Sequence, residues 1–348
     1  MLDISSPLRL RIAADALVSN WRWLDEASGP AACGAAVKAD AYGLGAREAV
    51  QRLAAAGCRH FFVSNWREAA ALMPLPSGVE LSVLHGVGAE DVVAAKMLPA
   101  RPVLNSVEQV ARWRAVGEGQ PCDVMVDTGM NRLGLRVAEV VAGAANGLKI
   151  VNLLSHLSSA DEDEAVSARQ LAAFQHVCDH VKAERYSLAN SAGICLGSAY
   201  HFDLTRPGIA LYGGIAHPSA GGHIQQTVFP EARILQIRDV PEGETVGYGC
   251  TWVSQRESRI AVINMGYADG YLRCHAGKIS GQWGGHILTG VGRVSMDLIA
   301  FDVTDAPGIV EGDWISLDYD LAATAARSGL SQYELLTGLG QRFERLWQ

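Results

Sequence analysis

Residues 33–65 read "CGAAVKADAYGLGAREAVQRLAAAGCRHFFVSN". A short apolar run, "CGAAVK", leads into "AREAVQRLAAAG", whose apolar residues fall at helical spacing, and then into a second apolar run, "HFFVSN". Neither run alternates apolar with polar residues, as expected of strands in a parallel sheet buried on both faces. Strand, helix, strand is the unit, and the chain repeats it. "HFFVSN" precedes "WREAAALM", "VELSVLHG" precedes "AEDVVAAKML", and "PVLN" precedes "SVEQVARWRAVG". "CDVMVD" then precedes "RVAEVVAGAANG", and "KIVNLLSHLS" precedes "DEDEAVSARQLAAFQHVCDHVKAE", before "YSLAN" and "FDLTRPG" end the series. About eight such repeats between roughly residues 10 and 215 predict a (β/α)8 TIM-type barrel. A doubly wound open sheet has the same alternation, and periodicity alone does not separate the two.

Beyond about residue 225 the pattern changes. "EARILQIRDV", "RIAVINMG", "GHILTGVGRVSMDLIAFDVT" and "GDWISLDYD" are β-rich, with Gly or Asp at the turns. The expectation is an α/β chain in two domains, a barrel over 1–222 and an all-β domain over 223–348. A short helix opened by a Ser331/Glu334 capping box is expected to close the second domain.

Composition excludes several functions. The chain of 348 residues is 49% apolar and 19% charged, the profile of a soluble globular protein, and its net charge of −8 lacks any basic block for nucleic acid. No uncharged apolar stretch reaches the roughly 18 residues of a membrane span, and the N-terminus lacks the apolar core of a signal peptide. Seven scattered cysteines without a CxxC pair read as reduced thiols, so a cytoplasmic location is expected. His176 and His180 sit one helical turn apart without a third ligand, so no metal is expected. No glycine cluster completes GxGxxG after a strand, which argues against a nicotinamide fold.

In a barrel, chemistry gathers at the C-terminal ends of the strands. The polar residues just past the strand-like runs are Lys38, Tyr42, Arg132, His156, Asn190, Ser191 and Arg206, with Gly208 and Ile209 following. Near other cations a lysine amine loses basicity and becomes a nucleophile suited to carbonyl chemistry. Ser191 and the backbone N–H groups of Gly208 and Ile209 lie late in the barrel, where phosphate is commonly bound. Lysine plus a phosphate cradle points to pyridoxal 5′-phosphate.

Eight separated stretches, "VKADAYGLGA", "VDTGMNRLGL", "SHLSSADED", "NSAG", "RPGIALYGG", "VGYGCTW", "MGYADGY" and "GRVSMD", occur in one order. In this the chain resembles the alanine racemase family from end to end. The resemblance implies a pyridoxal-phosphate barrel followed by a β-domain, a homodimer with composite active sites, and a small amino-acid substrate. It also implies interconversion of L- and D-alanine, supplying D-alanine for peptidoglycan. A racemase of broader specificity, for serine or basic amino acids, is the alternative. A barrel-type decarboxylase would place an acid, not Arg206, at the pyridine nitrogen.

By the same resemblance, Lys38 holds the cofactor and is the base that takes the proton from D-alanine. Tyr248 is the base for L-alanine on the opposite face. Arg206 faces the pyridine nitrogen, and His156 links it to the tyrosine or only orients its neighbours. Tyr42 and Ser191 hold phosphate, with Asn190, Gly208 and Ile209 in the same cofactor-binding set. Arg132 meets the cofactor phenolate and the substrate carboxylate, and the Met296 N–H meets substrate. Asp297 either braces its loop or touches substrate, and Tyr267 and Tyr271 either line the access corridor or pack. Two positions depart from the family pattern. Met125 stands where many relatives carry a carbamylated lysine that props the arginine, so another acceptor is expected beside Arg132. Gln341 stands where a tyrosine often helps to hold phosphate.

Overall fold

The computed structural model describes residues 5–348. The chain divides into two compact units, Ala16–Gln225 in one, and the segment up to Asp15 with Gln226–Gln348 in the other.

In the first unit, eight short strands run parallel. Residues 32–36 pair with His60–Val63, and Glu80–Val83, Arg101–Leu104, Cys122–Asp127, Ile150–Leu154 and Arg185–Ser187 follow in turn. The eighth, Leu204–Thr205, is tied to the seventh where Asp203 N–H donates to Tyr186 O (3.0 Å) and Arg206 N–H to Ala189 O (2.9 Å). It then pairs with the first through Leu204↔Ala32 and Thr205↔Cys33. The ring is therefore closed, a barrel rather than an open sheet. Phe62, Val103, Met125, Leu154 and Leu204 pack together as a buried cluster.

Short polar residues start several of the helices. Asn65 Oδ1 accepts from Glu68 N–H (3.0 Å), Ser106 Oγ from Gln109 N–H (3.3 Å), and Asp163 Oδ1 from Ala165 and Val166 N–H (2.8 and 3.1 Å). Each such cap satisfies donors that the first turn leaves open and contributes about 1 kcal/mol.

The N-terminal ends of the strands carry an ionic cluster. Glu80 bridges Arg101 (2.8 Å) and Arg185 (2.6 Å). The fully buried Asp123 accepts from Ser82 Oγ (2.5 Å), from the N–H and Nδ2 of Asn152 (both 3.0 Å), and from Arg101 Nε (3.1 Å). The buried carboxylate of Asp123 is tolerable because it is paired and hydrogen-bonded. This pole is structural, and the opposite pole is left for chemistry.

The second unit is an antiparallel barrel. Val228–Val240 pairs on one side with Trp314–Leu317 and on the other with Ser258–Ile263, and the remaining strands, Ser280–Trp283, His286–Val291 and Ile299–Asp302, complete the circuit. Leu8–Ile12 lies antiparallel to the start of the long strand, with Leu8, Leu10 and Ile12 fully buried. The Ser331/Glu334 capping box opens the helix Gln332–Thr337, as expected. The chain does not close on that helix. It continues into Glu344–Trp347, which pairs parallel with Leu8–Ile12. "ERLW" has no alternation of its own, and only its neighbour makes it a strand.

Candidate active site

Lys38 follows directly on the first barrel strand. The four residues after it, Ala39, Asp40, Ala41 and Tyr42, have φ of 52°, 54°, 53° and 57°. A left-handed turn of L-residues costs roughly 1–2 kcal/mol per residue, so it needs external support. Ala41 N–H donates to Val37 O (2.9 Å) and Gly45 N–H to Asp40 O (2.9 Å). Asp40 Oδ1 accepts from Ala46 N–H (2.7 Å), and Glu68 Oε1 accepts from Ala39 N–H (3.2 Å). Strain held this way is characteristic of functional sites. The Lys38 amine is shifted below the ordinary lysine value, first by burial and then by the Arg132 guanidinium, with Glu68 opposing.

The turn buries Tyr42 against Tyr212, with ring centroids 4.7 Å apart, and brings its hydroxyl against Gly208. A Cβ at Gly208 would lie 2.2 Å from that hydroxyl. Ser191 Oγ accepts from Gly208 N–H (2.9 Å) and Ala210 N–H (3.3 Å), which leaves its own hydrogen to donate. Ile209 is buried beside them. The Ser191 hydroxyl, with its own hydrogen left to donate, and the Tyr42 hydroxyl thus flank Gly208 and the buried Ile209 as a small neutral cradle of the kind a phosphate fits. Asn190 sits at its edge, where its side chain accepts from Gly193 N–H (2.9 Å) and caps the turn Ser191–Cys195.

The cations gather on the same pole. Arg206 is buried, donates to Ser155 O (2.5 Å) and Ser187 Oγ, and among the described residues meets no carboxylate directly. Burial lowers its pKa to about 10 against the pull of Asp123, so it stays protonated. His156 is pushed down to about 3, by burial first and then by Arg206, Arg132 and Lys38, so its ring is neutral. Arg132 is exposed at the end of a loop that Asp127 organises. The Asp127 carboxylate accepts from the N–H groups of Gly129 (2.8 Å), Met130 (2.9 Å) and Arg132 (3.0 Å). Burial works to raise the Asp127 pKa, but these donors outweigh it and hold the carboxyl below its ordinary range. The acceptor expected beside the Arg132 guanidinium does not appear among the described residues. Asp127 holds the backbone instead, and Met125 turns into the apolar core.

The remaining expected residues belong to the second unit. Tyr248 is 66% exposed at the tip of a two-strand ribbon, Thr245–Val246 with Trp252–Val253, between Gly247 (φ 80°) and Gly249 (φ 75°). Met296 is 54% exposed, and its carbonyl accepts from Ala268 N–H (3.0 Å). A Cβ at Gly266 would come within 2.3 Å of that carbonyl, so the "GYADGY" and "SMD" loops touch only because residue 266 is glycine. Asp297 braces: its Oδ1 takes Arg342 Nη1 at 2.7 Å. Tyr271 packs, buried against His275 at 4.4 Å, whereas Tyr267 is half-buried with Arg273 over its ring. Gln341 is exposed. His180 Nδ1 contacts His176 O (2.8 Å), with both residues on the exposed face of the helix end.

Three residues escaped sequence reasoning. Arg342 forks both oxygens of the fully buried Asp269 (2.6 and 2.7 Å) while holding Asp297, and so fixes the two loops. Glu68 supports the Lys38 turn, and Gln170 reaches the strand-end loops from mid-helix. Arg342 and Glu68 look like surface charges in sequence. Gln170 alone carried a signal, as a polar residue on the helix face shared with the buried Ser167, Phe174 and Val177.

Comparison with known proteins gives the same result for both halves. Residues 12–216 match the family model "Alanine racemase, N-terminal domain", and residues 228–347 match "Alanine racemase, C-terminal domain". The alanine racemase of Acidiphilium cryptum is 43% identical over 351 residues, covering 97% of this chain and 98% of that protein. The biosynthetic alanine racemase of Agrobacterium fabrum is 42% identical, covering 98% and 93%. The crystal structure of alanine racemase from Bartonella henselae with covalently bound pyridoxal phosphate superposes with a TM-score of 0.91 at 35% identity, covering 99% of this chain and 100% of that one. Matched in both halves and over nearly its whole length, the chain belongs to the alanine racemase family.

Proposed function

We propose that this protein is an alanine racemase that interconverts L- and D-alanine with pyridoxal 5′-phosphate, working in the cytoplasm as a homodimer and supplying D-alanine for peptidoglycan. The observation that carries the reading is Lys38, an amine shifted below its ordinary value among Arg132, His156 and Arg206 at the end of a barrel strand. Relatives named alanine racemase support it, one of them solved with pyridoxal phosphate covalently bound.

Bound at Lys38, the cofactor supplies an electron sink that acidifies the substrate Cα–H. The chain supplies the bases. The depressed basicity of Lys38 keeps more of its amine neutral near pH 7 than in a free lysine, so it accepts the proton of D-alanine. Tyr248 takes the proton of L-alanine from the other face, because racemisation needs removal on one side and return on the other. Arg206 donates to the neutral Ser187 hydroxyl and Ser155 carbonyl and keeps its proton. Toward a pyridine nitrogen it therefore offers a donor and no acid, which weakens the sink and disfavours transamination. Neutral His156 orients its neighbours without adding charge. Ser191 and Tyr42 hold phosphate, Arg132 holds the substrate carboxylate, and the Met296 N–H completes the substrate contacts.

The test is incubation of the purified holoenzyme with single L-amino acids in D2O, followed by α-deuteration and optical rotation. Alanine should exchange and racemise well ahead of serine or lysine. Comparable rates for serine or a basic amino acid would replace strict alanine specificity with the broader one. Absence of exchange with every amino acid would end the racemase reading.

A further inference from the structure

Gln170 sits in the middle of the helix Glu164–Cys178 and is 2% exposed. Its amide uses all of its reach on two loops at the chemical pole of the barrel. Oε1 accepts from Ser158 N–H (2.8 Å) and Ser158 Oγ (3.0 Å). Nε2 donates to the His156 carbonyl (3.0 Å) and to Thr128 Oγ1 (3.3 Å). Thr128 Oγ1 in turn meets Ser155 Oγ at 2.8 Å, and the Ser155 carbonyl receives Arg206 Nη2. One side chain thus links the loop of Arg132, the loop of His156 and, through Ser155, the guanidinium of Arg206.

We propose that Gln170 is a positioning residue for the site, a neutral strap that sets the spacing of Arg132, His156 and Arg206. The inference rests on the racemase reading above, with Arg132 on the substrate carboxylate. Three observations carry it. The side chain is buried, so its bonds are not exchanged for water, and losing them leaves unpaired groups. It joins loops that follow two different strands, a connection the barrel backbone does not make at that level. The loops it joins carry or face like charges, since burial and then Arg206, Arg132 and Lys38 all depress the His156 ring, and Arg132 also lowers the Lys38 amine. Like charges push such loops apart, and an amide resists the separation by donating and accepting at once. A carboxylate cannot donate to the His156 carbonyl, and its charge would favour the protonated form of Lys38.

Two near-isosteric variants test this, Gln170→Met and Gln170→Glu. Hydrogen exchange of the backbone amides in 128–132 and 155–158 is measured without reference to activity. Both segments should exchange faster in Gln170→Met, and unchanged protection would overturn the strap. Kinetics are then read per cofactor-loaded molecule. In Gln170→Met, kcat/KM for alanine should fall on the order of 10- to 100-fold, the scale of a misplaced binding group, with KM rising because Arg132 is mispositioned. In Gln170→Glu, the acidic limb of the kcat/KM profile should move to higher pH. A lowered Tm with wild-type KM and pH profiles in both variants would make the residue merely structural and overturn the proposal. If Gln170→Met fails to fold, Gln170→Glu keeps volume and the Ser158 contacts and carries both readouts. Inactivity of the wild type would bear on the racemase reading, while exchange in the loops still decides the strap.

Discussion

Position 208, just before the short turn Ile209–Tyr212, is glycine. Glycine is required there by space, because the Tyr42 hydroxyl occupies the place of a Cβ. Gly208→Ala should cost about 1–3 kcal/mol through overpacking and weaken pyridoxal phosphate binding about tenfold, equivalent to about 1.4 kcal/mol. Tyr42→Phe in the Gly208→Ala background removes the clashing oxygen and should restore part of the stability. Thermal melts and titration of the apoprotein with cofactor measure both effects, and a double variant no more stable than Gly208→Ala would mean the clash lies elsewhere. At this scale, what the sequence revealed was residue type out of place. Lys38 was legible because an amine beside a buried strand needs a use. Glu68 and Arg342 were not, because a glutamate on a helix and an arginine near a terminus look like surface charges until their partners are known.

Among the elements, the strand ends divide the labour. At the chemical ends Lys38, Arg132 and Arg206 make no ion pair among the described residues, while the opposite ends pair their cations. His60 Nδ1 lies 3.6 Å from Glu80, too far for a hydrogen bond, and Arg101 and Arg185 lie within 2.8 Å. With His60, and against burial, they hold the Glu80 carboxyl far below its ordinary value of about 4.5. A carboxyl lowered on folding stabilises the protein above that ordinary value, and the contribution fades as pH falls below it. Wild-type Tm should therefore decline as pH drops through about 4.5 and below, and Glu80→Gln should start lower at pH 7 and decline less. Parallel curves for the two proteins would remove Glu80 from the acid response. The helices were readable from caps and apolar spacing, since both act within a few residues. The left-handed turn after Lys38 was not, because "ADAY" has no preference for positive φ and adopts it under bonds from Glu68 and Ala46.

For the whole molecule, Lys38 and Tyr248 sit in different units, and the proposed homodimer would combine the lysine of one subunit with the tyrosine of the other. Lys38→Ala and Tyr248→Phe should each be inactive alone. Mixed under conditions that exchange subunits, they should recover about a quarter of wild-type activity, because half the dimers are mixed and each has one intact site of two. No recovery would mean that the tyrosine serves the lysine of its own chain. The sequence by itself determined the alternation of strands and helices, the change to β-rich segments past residue 225, and the order of the motifs that name the family. These depend on composition and spacing within a few turns of chain. Tertiary structure decided that the parallel strands close, through Leu204–Thr205 against Ala32–Cys33, and that the first strand, Leu8–Ile12, joins the last, Glu344–Trp347, in the second unit. It also decided which buried polar groups meet, as Gln170 with His156 and Arg342 with Asp269. The reason is physical: backbone pairing and side-chain hydrogen bonds join residues far apart in the chain, and local propensity contains no information about a partner that only folding brings near.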